Sequence, residues 1–373
     1  MKNTFLVPLT LTVFVACSSK HNGDNQIDYK MDTLMVDSKG EIIMGATNLF
    51  LSGFDSKLST LYHYSNQTAE VEVIDLDNLS IKHRIKIEKE GPEGVGSNVN
   101  KFYFLEESIF VFDNYFGLSH LDISGKKTAG YKFRDFGFFK ELEEESDRFT
   151  NNFCFLDSPT RFLAPVYSRK SDFKYLALVD LENDQMDKLE IEELKVINNY
   201  NVTLKMGNSM RSIIQVVDML KVDELIYISN AANNDIYTYN IQTKERRKID
   251  VKTDKLSAGK SGTYKNETED NDEFAEIFRR MYFEIEYKQL VRDPSNGNFY
   301  RFSMQKIREK TDELLAKFDV HLVAYDKDFQ LLSETKIPEM NSVAQIYFWK
   351  DNAIWMHENV EDELGFVRLK FLP

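Results

Sequence analysis

Few residues of this chain sit where their chemistry could be used, and two cysteines head that group. Cys17 follows an apolar run at positions 5–15, with Lys2 ahead of it and Ala16, Ser18 and Ser19 as small flanking residues. A cysteine in that position, at the end of an export-type segment, can take a lipid on its thiol. Cys154 lies inside Phe153-Cys154-Phe155-Leu156 and reads as a buried structural thiol. With Cys17 acylated it has no disulfide partner. The six histidines (His21, His63, His83, His120, His321 and His357) form no H-x-x-x-H or H-E-x-x-H pair, so no metal site is expected from spacing. Nucleophile-elbow, phosphate-loop and dinucleotide fingerprints are missing, so neither a catalytic residue nor a cofactor is assigned. The chain has 61 acidic residues, which guarantees chance carboxylate pairs and leaves glycoside chemistry open.

The segment around Cys17 reads Phe14-Val15-Ala16-Cys17-Ser18-Ser19 and resembles the lipobox of bacterial lipoproteins, with Phe14 where Leu is usual. That implies a signal peptide at 1–16, a lipid on Cys17 and attachment to a membrane. Ordinary secretion with nearby cleavage is the alternative. Residues 17–28 then serve as a polar tether. The segment Ser18-Ser19-Lys20-His21-Asn22 lacks an acidic cluster, unlike the surface-export signals of Bacteroidota, which favours the periplasmic side. Asp32-Thr33-Leu34 is similar to the O-glycosylation site of that phylum and makes Thr33 a candidate acceptor, although so short a match recurs by chance.

The rest of the chain must position any site, and it is repetitive. Residues 98–133 hold four β-type runs, at 101–105, 108–113, 118–122 and 128–133, with Gly, Asn, Asp and Ser at the breaks. Such a meander leaves apolar faces uncovered unless similar sheets stack on it. Comparable units are read at 45–87, 152–191, 213–251, 287–337 and 342–372. Together they predict an all-β fold: one six-bladed β-propeller of four-stranded antiparallel blades over 29–373. The last unit shows three strands, at 344–349, 353–358 and 366–371. A strand at 29–36 is expected to complete it and close the ring. Hairpin tips repeat an apolar-x-apolar-Asp pattern, as at Asp75, Asp180 and Asp326, and read as turn capping rather than calcium binding.

Three stretches interrupt the repeat. Residues 138–147 read as a helical turn, and 306–317 as a short helix lengthening a hairpin. Residues 254–271 are loop-like and lead into a helix over about 272–287. Phe274, Ile277, Phe278, Met281 and Ile285 form its inward stripe, Asp270 and Glu273 its cap, and Glu276 with Arg280 a one-turn pair.

Two further stretches carry a family likeness. Glu88-Lys89-Glu90-Gly91-Pro92-Glu93-Gly94-Val95-Gly96 looks like the inter-blade loop of six-bladed propeller lipoproteins of Bacteroidota, in the TolB-like and NHL-like propeller lineage. Tyr287 to Phe302, with Asp293-Pro294 and Phe299-Tyr300-Arg301, resembles a block in a branch of that lineage whose function is unassigned. The resemblance supplies no catalytic residues. Glu93, Tyr300 and Arg301 are candidates for a ligand face or channel, and Arg301 either pairs with a neighbouring carboxylate or faces the channel. The net charge of −14 argues against nucleic acid as a partner. The expected protein is a non-catalytic, lipid-anchored envelope propeller that binds a ligand or an envelope protein. A lyase or hydrolase acting on glycans or another envelope substrate is the alternative.

Overall fold

The computed structural model describes residues 26–113, 117–150, 152–307 and 317–372. The signal segment, Cys17, most of the tether and most of the 306–317 stretch lie outside the described residues. Among those described, seven sheets account for nearly all regular structure. Six follow the predicted repeat and hold four strands, except that the third holds five because its first position is split into Asp147–Phe149 and Cys154–Phe155. The six first strands, or first-position strands, begin at Ser52, Val99, Asp147, Val217, Glu286 and Tyr347.

Each meander forms because β-branched and aromatic residues alternate with small or polar ones, while Asp and Asn tips turn the chain. Asp75 accepts hydrogen bonds from the N–H groups of Asp77 and Asn78, both at 2.9 Å. Asp180 does the same for Glu182 and Asn183, and Asp326 for Asp328 and Gln330. These carboxylates are therefore engaged in backbone turns.

Apolar faces are covered by the next sheet in sequence. Tyr62 stacks on Phe104 at 3.8 Å between the first and second sheets. Gly53 permits that approach, since a Cβ there would stand 2.5 Å from the Phe104 amide nitrogen. Tyr103 meets Phe155 edge-on at 5.0 Å between the second and third, and Tyr167 donates to the Gln215 carbonyl just before the fourth. Tyr227 packs on Phe299 at 4.8 Å between the fourth and fifth, and Tyr300 stacks on Trp349 at 4.9 Å between the fifth and sixth. Phe54 and Phe348, 4.5 Å apart, then join the sixth sheet to the first.

Strand Tyr29–Met35 pairs antiparallel with Glu363–Phe371 and completes the sixth sheet, as strand counting expects. Arg368 grips Asp32 with two hydrogen bonds of 2.8 and 2.7 Å. Beyond it, Asp37 bridges to Ser80 of the first sheet.

The seventh sheet is absent from the sequence reading. Val202–Met206 and Ser209–Ile213 form a hairpin, and Glu267–Thr268 adds in parallel. The hairpin escapes notice because Lys205, Ser209, Arg211 and Ser212 break its apolar alternation. The α-helix beside it runs Asn271–Met281, shorter than the expected 272–287, because Glu286 already starts the fifth sheet. Asp270 caps it through the N–H groups of Asp272 and Glu273. Glu273 does not return the bond to Asp270, since its carboxylate is held by Lys265 and Thr268. Glu276 pairs with Arg279 instead of Arg280, whose guanidinium lies over Tyr264. A second helix, Gly137–Glu144, occupies the predicted helical turn.

Truncation tests the sixth sheet. Removing residues through Asn25 leaves every described strand intact and should barely change the melting temperature. Removing residues through Val36 bares the Glu363–Phe371 edge and should lower it sharply and promote aggregation. Equal melting curves for the two forms would show that this pairing contributes little.

Candidate functional site

Charged residues from several first strands converge where the sheets meet. Asp218 comes from Val217–Val222, Lys101 from Val99–Leu105, and Glu286 and Lys288 from Glu286–Arg292. Arg301 reaches in from the second strand of the fifth sheet. They are brought together because first strands of neighbouring sheets pack on one another, as Val217–Val222 does on Glu286–Arg292.

Arg301 is fully buried, 0% exposed. Its Nε donates to the Lys288 carbonyl at 2.5 Å, one terminal nitrogen to the Asn230 carbonyl at 2.6 Å, and the other to Asn234 Oδ1 at 3.3 Å. The guanidinium lies over Tyr287, 4.9 Å from the ring centroid. It makes no carboxylate ion pair among the described residues. The planar fork instead staples the fourth sheet to the fifth through backbone carbonyls.

Asp218 is the reverse case. Protein atoms surround its carboxylate, yet it makes no hydrogen bond or ion pair among the described residues while keeping some contact with solvent. Burial pushes its pKa above the usual carboxylate range, against the pull of Arg301, Lys288 and Lys101. Lys101 likewise makes no hydrogen bond or ion pair among the described residues, and its ammonium stands 5.4 Å from the Phe50 ring centroid and 5.7 Å from that of Tyr103. Burial lowers its pKa, and the field of Asp218 opposes that shift. Glu286 and Lys288 bind each other. Tyr347 completes the surroundings, its hydroxyl donating to the Gln289 carbonyl at 2.5 Å.

The other sequence candidates lie elsewhere. Tyr300 is buried between Trp349 and Phe371, packed rather than presented. Glu93 is exposed in the loop between the first and second sheets, where Gly91 takes a positive φ of 79°. Thr33 is exposed on the outermost strand of the sixth sheet. Cys154 is buried, and burial pushes its thiol up to about 12, far from a reactive thiolate. Among the described residues no group of three or more His, Cys, Asp or Glu is placed to hold a metal ion.

One arrangement resembles hydrolase machinery in composition. Ser52, His63, Glu72 and Arg84 stand opposite one another across the four strands of the first sheet. Ser52 Oγ is 2.9 Å from His63 Nδ1. Glu72, however, spends both oxygens on the N–H groups of Met44 and Gly45, at 2.8 and 3.0 Å. A triad needs its carboxylate on the histidine and the serine on the opposite ring nitrogen. This row therefore clamps the 44–46 turn onto the sheet. Sequence reasoning missed it because the four residues sit on successive strands, fit no short motif and meet only through strand register.

A groove of about 1380 Å³ runs over the sixth sheet between Met31–Met35 and residues 339–346. Within it Asp32 pairs with Arg368 and Lys370, and Glu339 accepts a hydrogen bond from the Tyr29 hydroxyl. Asp218 and Lys101 do not line it.

A family model described as a domain of unknown function, DUF4221, matches residues 25–336. The chain belongs to the DUF4221 family. A solved DUF4221 member from Bacteroides vulgatus is 15% identical, with a TM-score of 0.65 over 93% of this chain and 98% of that one. A Bacteroides fragilis protein described as a "putative exported protein" is 11% identical, with a TM-score of 0.53 over 95% of this chain and 98% of that one. The β-propeller domain of Cps50 from Myceliophteria thermophila is similar at a TM-score of 0.41 and 9% identity, over 85% of this chain and 90% of that one. No curated protein matches the sequence. The DUF4221 match agrees with the uncharacterised propeller family that the two loop motifs resemble. No helix of the described residues is long and apolar enough to cross a membrane, a statement that leaves β-barrels aside.

Two measurements check these assignments. Arg301→Met leaves two carbonyls without donors and should cost about 3 kcal/mol in denaturant unfolding. A loss below about 1 kcal/mol would show that water replaces the guanidinium. His63 is the pH reporter. Burial, with a smaller contribution from His357, brings its pKa down to about 4 from an ordinary 6.5. The unfolded chain then binds more protons between those values, so this stability is complete above about pH 6.5 and fades toward pH 4. The contribution is on the order of 3 kcal/mol. His63→Gln should flatten the stability profile across that window, and an unchanged slope would remove His63 as its source.

Proposed function

We propose that this DUF4221 protein is a lipid-anchored component of the bacterial cell envelope. Its six four- and five-stranded sheets are the blades of a six-bladed β-propeller, and it binds a ligand or partner without catalysis. The blade reading is supported by the series of aromatic contacts that returns from Phe348 to Phe54, and by the pairing of Tyr29–Met35 with the final strand. Anchoring is supported by the apolar run and small residues around Cys17.

The observation that carries the binding reading is that Asp218 and Lys101, both on packed first strands, make no hydrogen bond or ion pair among the described residues. An enclosed charge without a partner destabilises a fold, so its presence points to an incoming group that completes the pairing. A ligand offering both a cation or donor and an anion or acceptor fits the two.

Asp218→Asn and Lys101→Met together should raise the melting temperature while abolishing retention of whatever co-purifies with the protein from membranes. A clear loss of stability in the double variant would mark the two charges as structural and sink the binding reading. Cys17→Ser should abolish fatty-acid labelling and release the protein from the membrane fraction. Unchanged labelling would refute the anchor.

A further inference from the structure

The inserted helix exposes one residue of its apolar stripe. Phe274, Ile277 and Met281 are buried, but Phe278 is 38% exposed, and Tyr282, one turn on, is 40% exposed. Val216, at the entry to the fourth sheet, is 47% exposed. Scattered apolar residues on a surface need no explanation. These three line one cavity of about 160 Å³, together with Ile213, Ile214, Met281 and Ala231. That size is comparable to an apolar cavity of about 150 Å³ that admits benzene.

Three polar side chains also line this cavity: Gln215, Glu286 and Lys260. Gln215 donates from its side chain to the Tyr200 carbonyl, and its N–H is bound by Asn201. Glu286 is bound by Lys288. The Lys260 ammonium has no hydrogen bond or ion pair among the described residues, although its backbone is fixed at both ends. Its N–H donates to the Ala232 carbonyl at 2.8 Å, and its carbonyl accepts from the Tyr200 hydroxyl at 2.6 Å. The nearby Glu284 is spent on the N–H groups of Ser261 and Gly262 and on the Tyr264 hydroxyl. A loop fixed by its backbone thus sets Lys260 in the lining of a small space with aromatic, thioether and aliphatic walls, where Glu286 is the one carboxylate in the lining.

We infer that this cavity binds a small organic carboxylate, with its anion on Lys260 and a benzene-sized apolar group among Phe278, Met281 and Tyr282. Each part answers an unmatched feature: the carboxylate gives Lys260 a charge-assisted hydrogen bond, and the ring covers exposed aromatic surface. Burial lowers the pKa of Lys260 while Glu286 and Glu284 hold it up, so an arriving anion also secures the charged form. The site is distinct from Asp218 and shares only the neighbourhood of Glu286, so either can fail alone.

The test is titration of the full-length protein with phenylacetate, read by calorimetry and by saturation-transfer NMR. Saturable one-to-one binding is expected, and neutral 2-phenylethanol and ring-free acetate should each bind at least about tenfold more weakly. Lys260→Met should weaken phenylacetate binding about tenfold or more, whereas Lys260→Arg should retain much of it. Phe278→Ala should weaken binding several-fold, with unchanged melting showing that the fold is intact. Equal affinity for acid and alcohol, full affinity in Lys260→Met, or no saturable binding would overturn the assignment.

Discussion

A four-stranded antiparallel sheet has two apolar faces and two open edges, and this chain must cover all of them without disulfides among its described residues. Residues 27–37 carry much of that burden. Ile27 N–H donates to Thr335 of the fifth sheet, Tyr29–Met35 completes the sixth, and Asp37 reaches Ser80 of the first. Three sheets thus meet in eleven residues. The bidentate Asp32–Arg368 contact lies within this run, and Arg368 and Lys370 together hold the Asp32 carboxyl below its ordinary range. Aromatic packing between consecutive sheets depends on their being held in this order.

The insertions use a different physics. Residues 192–213 and 254–285 depart from the repeat and hold each other in place. The Thr203 N–H meets the Asn266 carbonyl, and the Asn266 side chain bonds the carbonyls of Asn198 and Asn201. The long polar loop is secured by two carboxylates: Glu334 accepts from the N–H groups of residues 254, 255 and 256, and Glu284 from those of 261 and 262. Charge-assisted bonds to backbone N–H groups order a segment that has little apolar surface of its own. They also set Lys260 beside the helix that carries Phe278.

The buried charges of this molecule fall into two groups by how they are satisfied. Arg301 and Glu72 are buried deeply and satisfied by backbone groups, so each fixes a local arrangement. Asp218, Lys101 and Lys260 make no such bonds among the described residues, and Lys260 lines a small cavity. Composition does not distinguish these two sets, because both consist of ordinary charged residues within β-rich sequence.

Signals confined to a few neighbouring residues were legible in the chain itself. Alternating apolar runs gave the sheets, and the Asp75, Asp180 and Asp326 tips gave their turns. The helical stripe of Phe274, Ile277 and Met281 gave the inserted helix, and counting strands gave the role of residues 29–36. Charge partners were not legible. Whether Arg301 meets a carboxylate or two carbonyls depends on Asn230 brought across from another sheet. Asp218 is one acidic residue among 61 until packing encloses it. Phe278 belongs to the apolar stripe by spacing but is left uncovered by what packs around Val216 and Tyr282. Local sequence sets dihedral preference and the facing of side chains, whereas enclosure and partnership arise only when strands distant in the chain are brought together in register.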